Sequence, residues 1–448
     1  RELPYEFVIL NNSVPNAWAL PGGKIAINRG LLTTLENEAE LAAVLGHEVV
    51  HAAARHSAQA QTRGMHLQGA LLASKIGAQG SDYSNLIIAG ASLGAQLITQ
   101  RYGREAERES DHYGINYMLR AGYDPRAAIS LQEKFLALSK ERGGNGGWLE
   151  GVFASHPPSA ERVGNNTRQV AGLDLAGRDL KLGRESYQQA LGLLHDAAPA
   201  YALLDEAYKD LREDRVEAAE EKLERAAMLL PVEARIDGLQ GDIYLNQRRY
   251  HQAIAEYDVA VSKDDSYFTY YLGRGVAQAR LGNRPQAKTD LERSAALLPT
   301  ATAAMELGDL AMADRDIAAA KDYYQTAAGS QGEVGQRARV AFVGLDMPEN
   351  PGAYFRLRTA TDGRGRLLAE VVNTSGVRAE RVLVEFRILV GGRVQSRRQR
   401  LASLEPGRAV VVNSGATLPA ELAADPRSYD ARVLAATPVT SSRRSVRQ

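Results

Sequence analysis

The chain has 448 residues, which at roughly 150 per domain predicts about three domains. Hydrophobic residues make up 44% and charged residues 24%, with 41 Gly and 16 Pro, so collagenous, mucin-like and wholly disordered classes are excluded. Lys plus Arg and Asp plus Glu both number 54, leaving no bulk charge to attract nucleic acid or an anionic membrane, so partners must be recognised locally. Cysteine is absent, which removes disulfides, thiolate metal sites and cysteine nucleophiles and leaves His and carboxylates as the metal ligands.

In chain order, the first 195 residues mix a short strand-like opening with Ala- and Leu-rich helical text. Asn37 followed by Glu40 predicts a helix N-cap with a reciprocal partner. The apolar stripe of that helix, Leu41, Val44 and Leu45, runs on into Glu48, His51 and Ala52. Ionisable groups on a core-facing stripe cost several kcal/mol unless they find partners or a metal. His47 and His51 are four apart, so both rings reach one cation, and Glu48 stands beside them: His-Glu-x-x-His, in which the Glu is the base and not a ligand.

A catalytic zinc needs a third protein ligand. The extended motif with Gly and a third His fails, because those positions hold Ala54 and Ser57. A second helix offers carboxylates in Arg104-Glu105-Ala-Glu107-Arg-Glu109-Ser-Asp111. Glu107 and Asp111 share a face, so Glu107 can bind metal while Asp111 accepts the outer N–H of a ligand histidine; taken alone, the segment reads more readily as a solvated charged helix face. Between these helices, Tyr83–Gln100 is the least charged stretch; at 18 residues, interrupted by polar ones, it is short for a membrane span and reads as a buried or lid helix, with membrane contact as the lesser alternative. His56 lies five residues past His51 and should point away from the metal side; ordinary surface or core roles are expected for it and for His66, His112, His195 and His251.

From about residue 200 the text is helical and repeats. Ala207, Gly241 and Gly275 are 34 apart, as are Ala219, Ala253 and Ala287, and Ala226, Ala260 and Ser294, with Pro231, Asp265 and Pro299 closing each unit. A fourth unit with Gly308, Ala320 and Ala327 is one residue shorter, and Glu333 to Leu345 reads as a capping helix. This resembles the tetratricopeptide repeat, in which small side chains let paired helices approach closely. Beyond Pro348 and Pro351 six strands are predicted: 353–358, 367–372, 382–389, 393–400, 409–413 and 429–434, a small antiparallel β-sandwich. The tail from Ser441, with Arg443, Arg444 and Arg447, reads as a frayed terminus.

His-Glu-x-x-His followed by Glu-x-x-x-Asp resembles the gluzincin metallopeptidases of the HtpX and CAAX prenyl protease type. Asn16-Ala-Trp-Ala-Leu-Pro-Gly-Gly-Lys-Ile-Ala-Ile-Asn28 looks like that family's hairpin and edge strand, Ala121-Gly-Tyr-Asp-Pro125 follows the ligand helix, and Ser155-His156-Pro157-Pro158 resembles its later His-Pro motif. The likeness covers about residues 5 to 165. Ser110 stands where the family usually has Ala. With the repeats added, the chain resembles the periplasmic β-barrel assembly-enhancing proteases, although a β-sandwich after the repeats departs from that pattern.

The resemblance implies one zinc ion held by His47, His51 and Glu107, with Glu48 as general base and acid and Asp111 behind a ligand. His156 is expected to fill the fourth zinc position at rest or to stabilise the oxyanion, with a structural hydrogen bond as the plain alternative. Lys24, Ile25, Ala26, Ile27 and Asn28 are expected to form an edge strand that pairs with extended substrate, with an ordinary edge strand as the alternative. The expected architecture is a mainly α-helical zincin catalytic domain with a small β-sheet (1–195), an α-solenoid of tetratricopeptide repeats (196–347) and a C-terminal antiparallel β-sandwich (348–448). The expected function is zinc-dependent endoproteolysis of misfolded or stalled envelope proteins in the periplasm. Expected partners are unfolded polypeptides and, through the repeats, the outer-membrane β-barrel assembly machinery, with no nucleic acid and no transmembrane span. A client-binding chaperone or scaffold that rarely cuts and a metal-free repeat adaptor are the competing classes.

Overall fold

The computed structural model describes residues 3–56, 102–141 and 156–440. The helix expected over 83–100, His66, Ser155 and the arginine tail from Ser441 lie outside them. The described chain packs as two compact units that part between Gln240 and Gly241.

In the first unit, β1 (Glu6–Leu10), β2 (Ala17–Leu20) and β3 (Lys24–Asn28) form a mixed sheet in the order β1-β3-β2. Pro21-Gly22-Gly23 folds β2 onto β3 as a hairpin, with both glycines at φ near +90°, where other residues are strained. Strand β3 is central, with β1 parallel on one side and β2 antiparallel on the other. The expectation of an edge strand at Lys24, Ile25, Ala26, Ile27 and Asn28 is therefore corrected. Their backbone groups are already spent on two neighbours, Ile25 and Ile27 are buried in the core, and Lys24 pairs with Glu6 at 2.6 Å.

Arg29 opens α1 (Arg29–Leu32), and α2 (Glu38–Ala53) follows. Asn37 caps α2 by accepting from the Glu40 N–H at 2.9 Å, while the Glu40 carboxylate accepts from the Glu36 N–H at 2.8 Å and from Lys134 at 3.0 Å. Against α2 pack α3 (Arg104–Arg120), α4 (Ala127–Glu141) and, after α5 (Ala160–Ala171), which packs on α3 and α4, α6 (Arg184–Ala190). Leu31, Ala39, Val44, Ile115, Met118 and Leu131 belong to their common core. The antiparallel pair α7 (Gly192–Arg212) and α8 (Val216–Leu229) continues the same unit. Buried Arg29 lies 3.4 Å over the Tyr201 ring of α7 and donates to Asn11 at 2.9 Å; Tyr201 and Asn11 both donate to Glu233, at 2.7 and 2.8 Å. Helix α9 (Ala234–Asn246) carries the chain across the division.

The second unit holds α10 (Tyr250–Lys263), α11 (Phe268–Arg280), α12 (Arg284–Leu297), α13 (Ala301–Ala313), α14 (Ile317–Ala328) and α15 (Glu333–Asp346). The 34-residue columns have a physical cause here. Ala253, Ala287 and Ala320 are fully buried, and a Cβ on Gly241 or Gly308 would fall 2.7 or 2.6 Å from the ring of Tyr257 or Tyr324. Those tyrosines donate to Asp242 at 2.6 Å and Asp309 at 2.7 Å. Helix α15 packs on α14, and its Val343, with Met347, enters the next core.

That core, with Leu367, Val371, Val384 and Phe386, fills an antiparallel sandwich. One sheet is β4 (Phe355–Thr361), β5 (Arg366–Asn373) and β8 (Ala409–Thr417); the other is β7 (Arg393–Leu404), β6 (Ala379–Val390) and β9 (Tyr429–Pro438), with α16 (Ala420–Ala424) before β9. The six strands are those read from the sequence, mostly longer, and β4 starts two residues late because Pro351–Tyr354 form a 3-10 turn. Among the described residues no helix is long and apolar enough to cross a membrane.

Candidate metal centre

Helices α2 and α3 cross backbone against backbone. A Cβ on Gly46 would lie 3.0 Å from the Gly114 carbonyl oxygen, and one on Gly114 would lie 3.1 Å from the His47 nitrogen. This contact, one residue before His47, brings the ligand faces of the two helices together. The loop ahead of α5 delivers His156 to the same point.

His47, His51, Glu107 and His156 are all buried, and one nitrogen or oxygen from each falls within 4.8 Å of all the others. His47 Nε2 lies 3.0 Å from His51 Nε2 and 3.2 Å from His156 Nδ1. Glu107 Oε1 lies 2.9 Å from His156 Nδ1 and 3.4 Å from His51 Nε2, and Glu107 Oε2 lies 3.6 Å from His47 Nε2. A tetrahedral zinc with arms of 2.0–2.1 Å has edges of about 3.3 Å, and these separations, with Glu107 contributing through either oxygen, bracket that value. Glu48 is 2% exposed, its Oε1 3.4 Å from His156 Nε2.

The donor set fits a zinc ion. Among the described residues, Glu48 Oε2, Glu107 Oε2 and His156 Nε2 are buried without a hydrogen-bond partner, three such atoms within one cluster. Arg162 Nη1 approaches Glu107 Oε2 to 2.8 Å, as an ion pair outside hydrogen-bond alignment. Burial holds His51 well below its ordinary pKa and thus neutral, the form that can ligate. Burial would raise Glu107, but the His156 and His47 charges and hydrogen bonds outweigh it and keep the carboxyl ionised. Burial would likewise lower His156, yet Glu107 and Glu48 beside it pull its pKa up.

A further ring of contacts orients these groups. Asp111 Oδ1 lies 2.9 Å from His47 Nδ1 and receives Arg162 Nη2 at 2.7 Å, while Arg162 Nε reaches Oδ2 at 2.7 Å. Burial raises the Asp111 carboxyl, but the Arg162 and His47 hydrogen bonds overcome that and hold it at about 2. His56, expected to point away, is instead buried with Nδ1 3.0 Å from His51 Nδ1 and Nε2 3.3 Å from Glu109. That corrects the helical extrapolation: α2 ends at Ala53, and Arg55, at φ 59°, turns the chain back toward the site. Tyr102 lies with its ring 3.9 Å from that of His51. Sequence reasoning assigned no role to Arg162, His56 or Tyr102; the signal for Arg162 was its place six residues after His156 in the His-Pro segment. His112 and His251 are exposed and His195 is half-buried.

Residues 1–168 match the family described as Peptidase family M48. The amino-terminal part of this chain is an M48 peptidase domain. Relatives of that domain include the mitochondrial metalloendopeptidase OMA1 of Schizosaccharomyces pombe, 34% identical over 36% of this chain and 45% of that protein. The β-barrel assembly-enhancing protease of Escherichia coli K12 is 31% identical over 30% of this chain and 28% of its own length. The chain thus spans less than half of these relatives. The solved structure of Pseudomonas aeruginosa PilF aligns with 52% of this chain and 85% of that one, at 19% identity and a TM-score of 0.31. The M48 domain carries a buried His47, His51, Glu107 and His156 set consistent with one zinc ion.

Proposed function

We propose that the chain is a zinc-dependent endopeptidase whose zinc is held by His47, His51 and Glu107, with Glu48 as general base and acid. The observation that carries this reading is a buried carboxylate, Glu48, lying beside the four-residue donor set with one oxygen unpartnered among the described residues. Bound zinc supplies Lewis acidity toward a peptide carbonyl and toward water. Glu48 Oε2 takes the proton of the attacking water and returns it to the departing amine. Asp111 and Arg162 hold the His47 ring in its ligating orientation. His156 stands at the fourth corner, between Glu107 and Glu48, and must swing aside before a peptide enters; the resting enzyme is therefore shut. Glu48→Gln should keep zinc at wild-type stoichiometry and abolish cleavage of an unfolded protein such as casein; retained cleavage would remove Glu48 from the mechanism.

One observation favours a second reading, a client-binding scaffold with a structural zinc: four protein ligands close a tetrahedron, as structural sites do. Under that reading no variant at His156 produces cleavage. The wider assignment divides the chain into a peptidase domain (1–195), repeats (196–347) and a sandwich (348–448). Its substrates are misfolded or stalled envelope proteins in the periplasm, engaged by the repeats alone or with the outer-membrane β-barrel assembly machinery. Its support is the likeness to relatives named β-barrel assembly-enhancing proteases, and pull-down of periplasmic clients by the Glu48→Gln chain tests it.

A further inference from the structure

The charge balance of the whole chain conceals a local excess. Residues 348–448 hold 17 arginines, nine acidic residues and no lysine, a net charge of +8 in a chain whose total is zero. Strand β7 alone has Arg393, Arg397, Arg398 and Arg400 and no acid, and it is an outer strand, exposed over most of its length. Arg398 shares the buried Glu385 with Arg432, at 3.2 and 2.8 Å. Among the described residues, Arg393, Arg397 and Arg400 meet no carboxylate.

The same hairpin ends in an apolar tip. Its third neighbour β9 pairs with β6 only as far as Ile388 opposite Tyr429, so residues 389–394 project past the sheet. There Leu389, Val390 and Val394 are 43%, 39% and 61% exposed, around a Gly391-Gly392 turn at φ 57° and 78° with open space beside both glycines. Three aliphatic side chains at a protruding turn lose free energy in water. Leu389 and Val394 face each other across the two strands, and none of the three belongs to the sandwich core.

We infer that the β6–β7 hairpin docks the protein on an anionic lipid bilayer, with Leu389, Val390 and Val394 entering the acyl boundary and Arg393, Arg397 and Arg400 lying along the phosphates. A bilayer surface is where phosphate charge lies directly above hydrocarbon, which is the order found along this hairpin. A nucleic acid would satisfy the arginines and leave the aliphatic tip in water, and β7 has no aromatic on which a base could stack. Arg397 is about 13 Å and Arg400 about 23 Å along the strand from Arg393, with Arg393 and Arg397 on one face and Arg400 on the other, so all three meet headgroups only when the hairpin lies obliquely with the β7 edge toward the bilayer. Each arginine near such a surface is worth about five-fold in partitioning, and the attraction fades with salt.

The test uses the full chain carrying Glu48→Gln and therefore does not depend on proteolysis. Sedimentation with vesicles of 30% phosphatidylglycerol and 70% phosphatidylethanolamine should capture the protein; pure phosphatidylcholine vesicles should not, and 0.5 M salt should release it. The triple Arg393→Gln, Arg397→Gln, Arg400→Gln variant should bind about a hundred-fold more weakly, and Val390→Ser with Val394→Ser about ten-fold more weakly at unchanged charge. Because the chain has no cysteine, Val390→Cys offers a unique site for an environment-sensitive fluorophore, whose emission should shift to the blue with the anionic vesicles. Failure to sediment, or binding with no blue shift and no effect of the tip variants, overturns the proposal. Equal binding to soluble heparin, independent of the tip, would assign the arginines to an acidic macromolecule instead.

Discussion

His156 Nδ1 lies 3.2 Å from His47 Nε2 and 2.9 Å from Glu107 Oε1, in the corner of the donor set that a catalytic metal site leaves open. His156→Ala should therefore keep one zinc per chain and raise cleavage of unfolded casein several-fold, because the closing ligand is gone. If His156 instead stabilised the oxyanion, the same variant would lower kcat by about a hundred-fold with KM little changed. Steady-state kinetics with zinc content measured on the same sample separates the two.

His56 supports a ligand without being one. With His56 Nδ1 3.0 Å from His51 Nδ1, His56→Ala frees the ring of a ligand histidine, and zinc affinity should fall about 10- to 100-fold. Competition with a chelating zinc indicator reads this directly. Unchanged affinity would make His56 a packing residue only.

The close approach of α2 and α3 gives a third expectation. Gly114→Ala places a methyl 3.1 Å from the His47 backbone nitrogen, and Gly46 cannot retreat because Gly114 already faces it. The helices must separate by a few tenths of an ångström, so zinc affinity and thermal stability should both drop, by about 1–3 kcal/mol in stability, with no ligand altered. Ser110→Ala on the same helix should do the opposite. Its buried hydroxyl has no partner among the described residues, and removing it should raise stability by about 1 kcal/mol in chemical denaturation.

How far the sequence carries is visible in these same residues. His47, Glu48, His51, Glu107 and Asp111 were legible because four-residue spacing within one helix fixes a common face whatever the rest of the fold does. His56 was misjudged because that rule stops where the helix stops, and the left-handed turn at Arg55 is set by local packing that no periodicity reports. The Pro-Gly-Gly turn disclosed the β2–β3 hairpin, yet the parallel strand β1 on the other side of β3 is joined through no turn at all, so its place in the sheet had no local signal. The repeat columns were legible because each glycine of the first column answers to a side chain of the following helix, Gly241 to Tyr257, Gly275 to Leu291 and Gly308 to Tyr324.

Asp242 gives a pH dependence away from the metal. Burial raises its carboxyl to about 6, with the Tyr257 hydroxyl only partly offsetting that. The folded state therefore holds a proton that the unfolded chain releases near pH 4, so this group's contribution declines as pH rises from about 4 to 6 and the penalty is full above 6. Asp242→Asn should then be more stable than wild type by about 3 kcal/mol at pH 8, with the gap closing toward pH 4. Urea denaturation of both proteins across that range checks it; a gap that does not vary with pH would show that the carboxyl titrates normally.

The convergence of His47, His51, Glu107 and His156 on one ion is tested most directly by zinc X-ray absorption on the purified chain, with elemental analysis of the same sample. One zinc per chain, bound by three imidazole nitrogens and one carboxylate oxygen at about 2.0–2.1 Å, is the predicted result. A chain that binds no zinc when supplied with it, or a zinc with fewer than two imidazole ligands, would contradict the account.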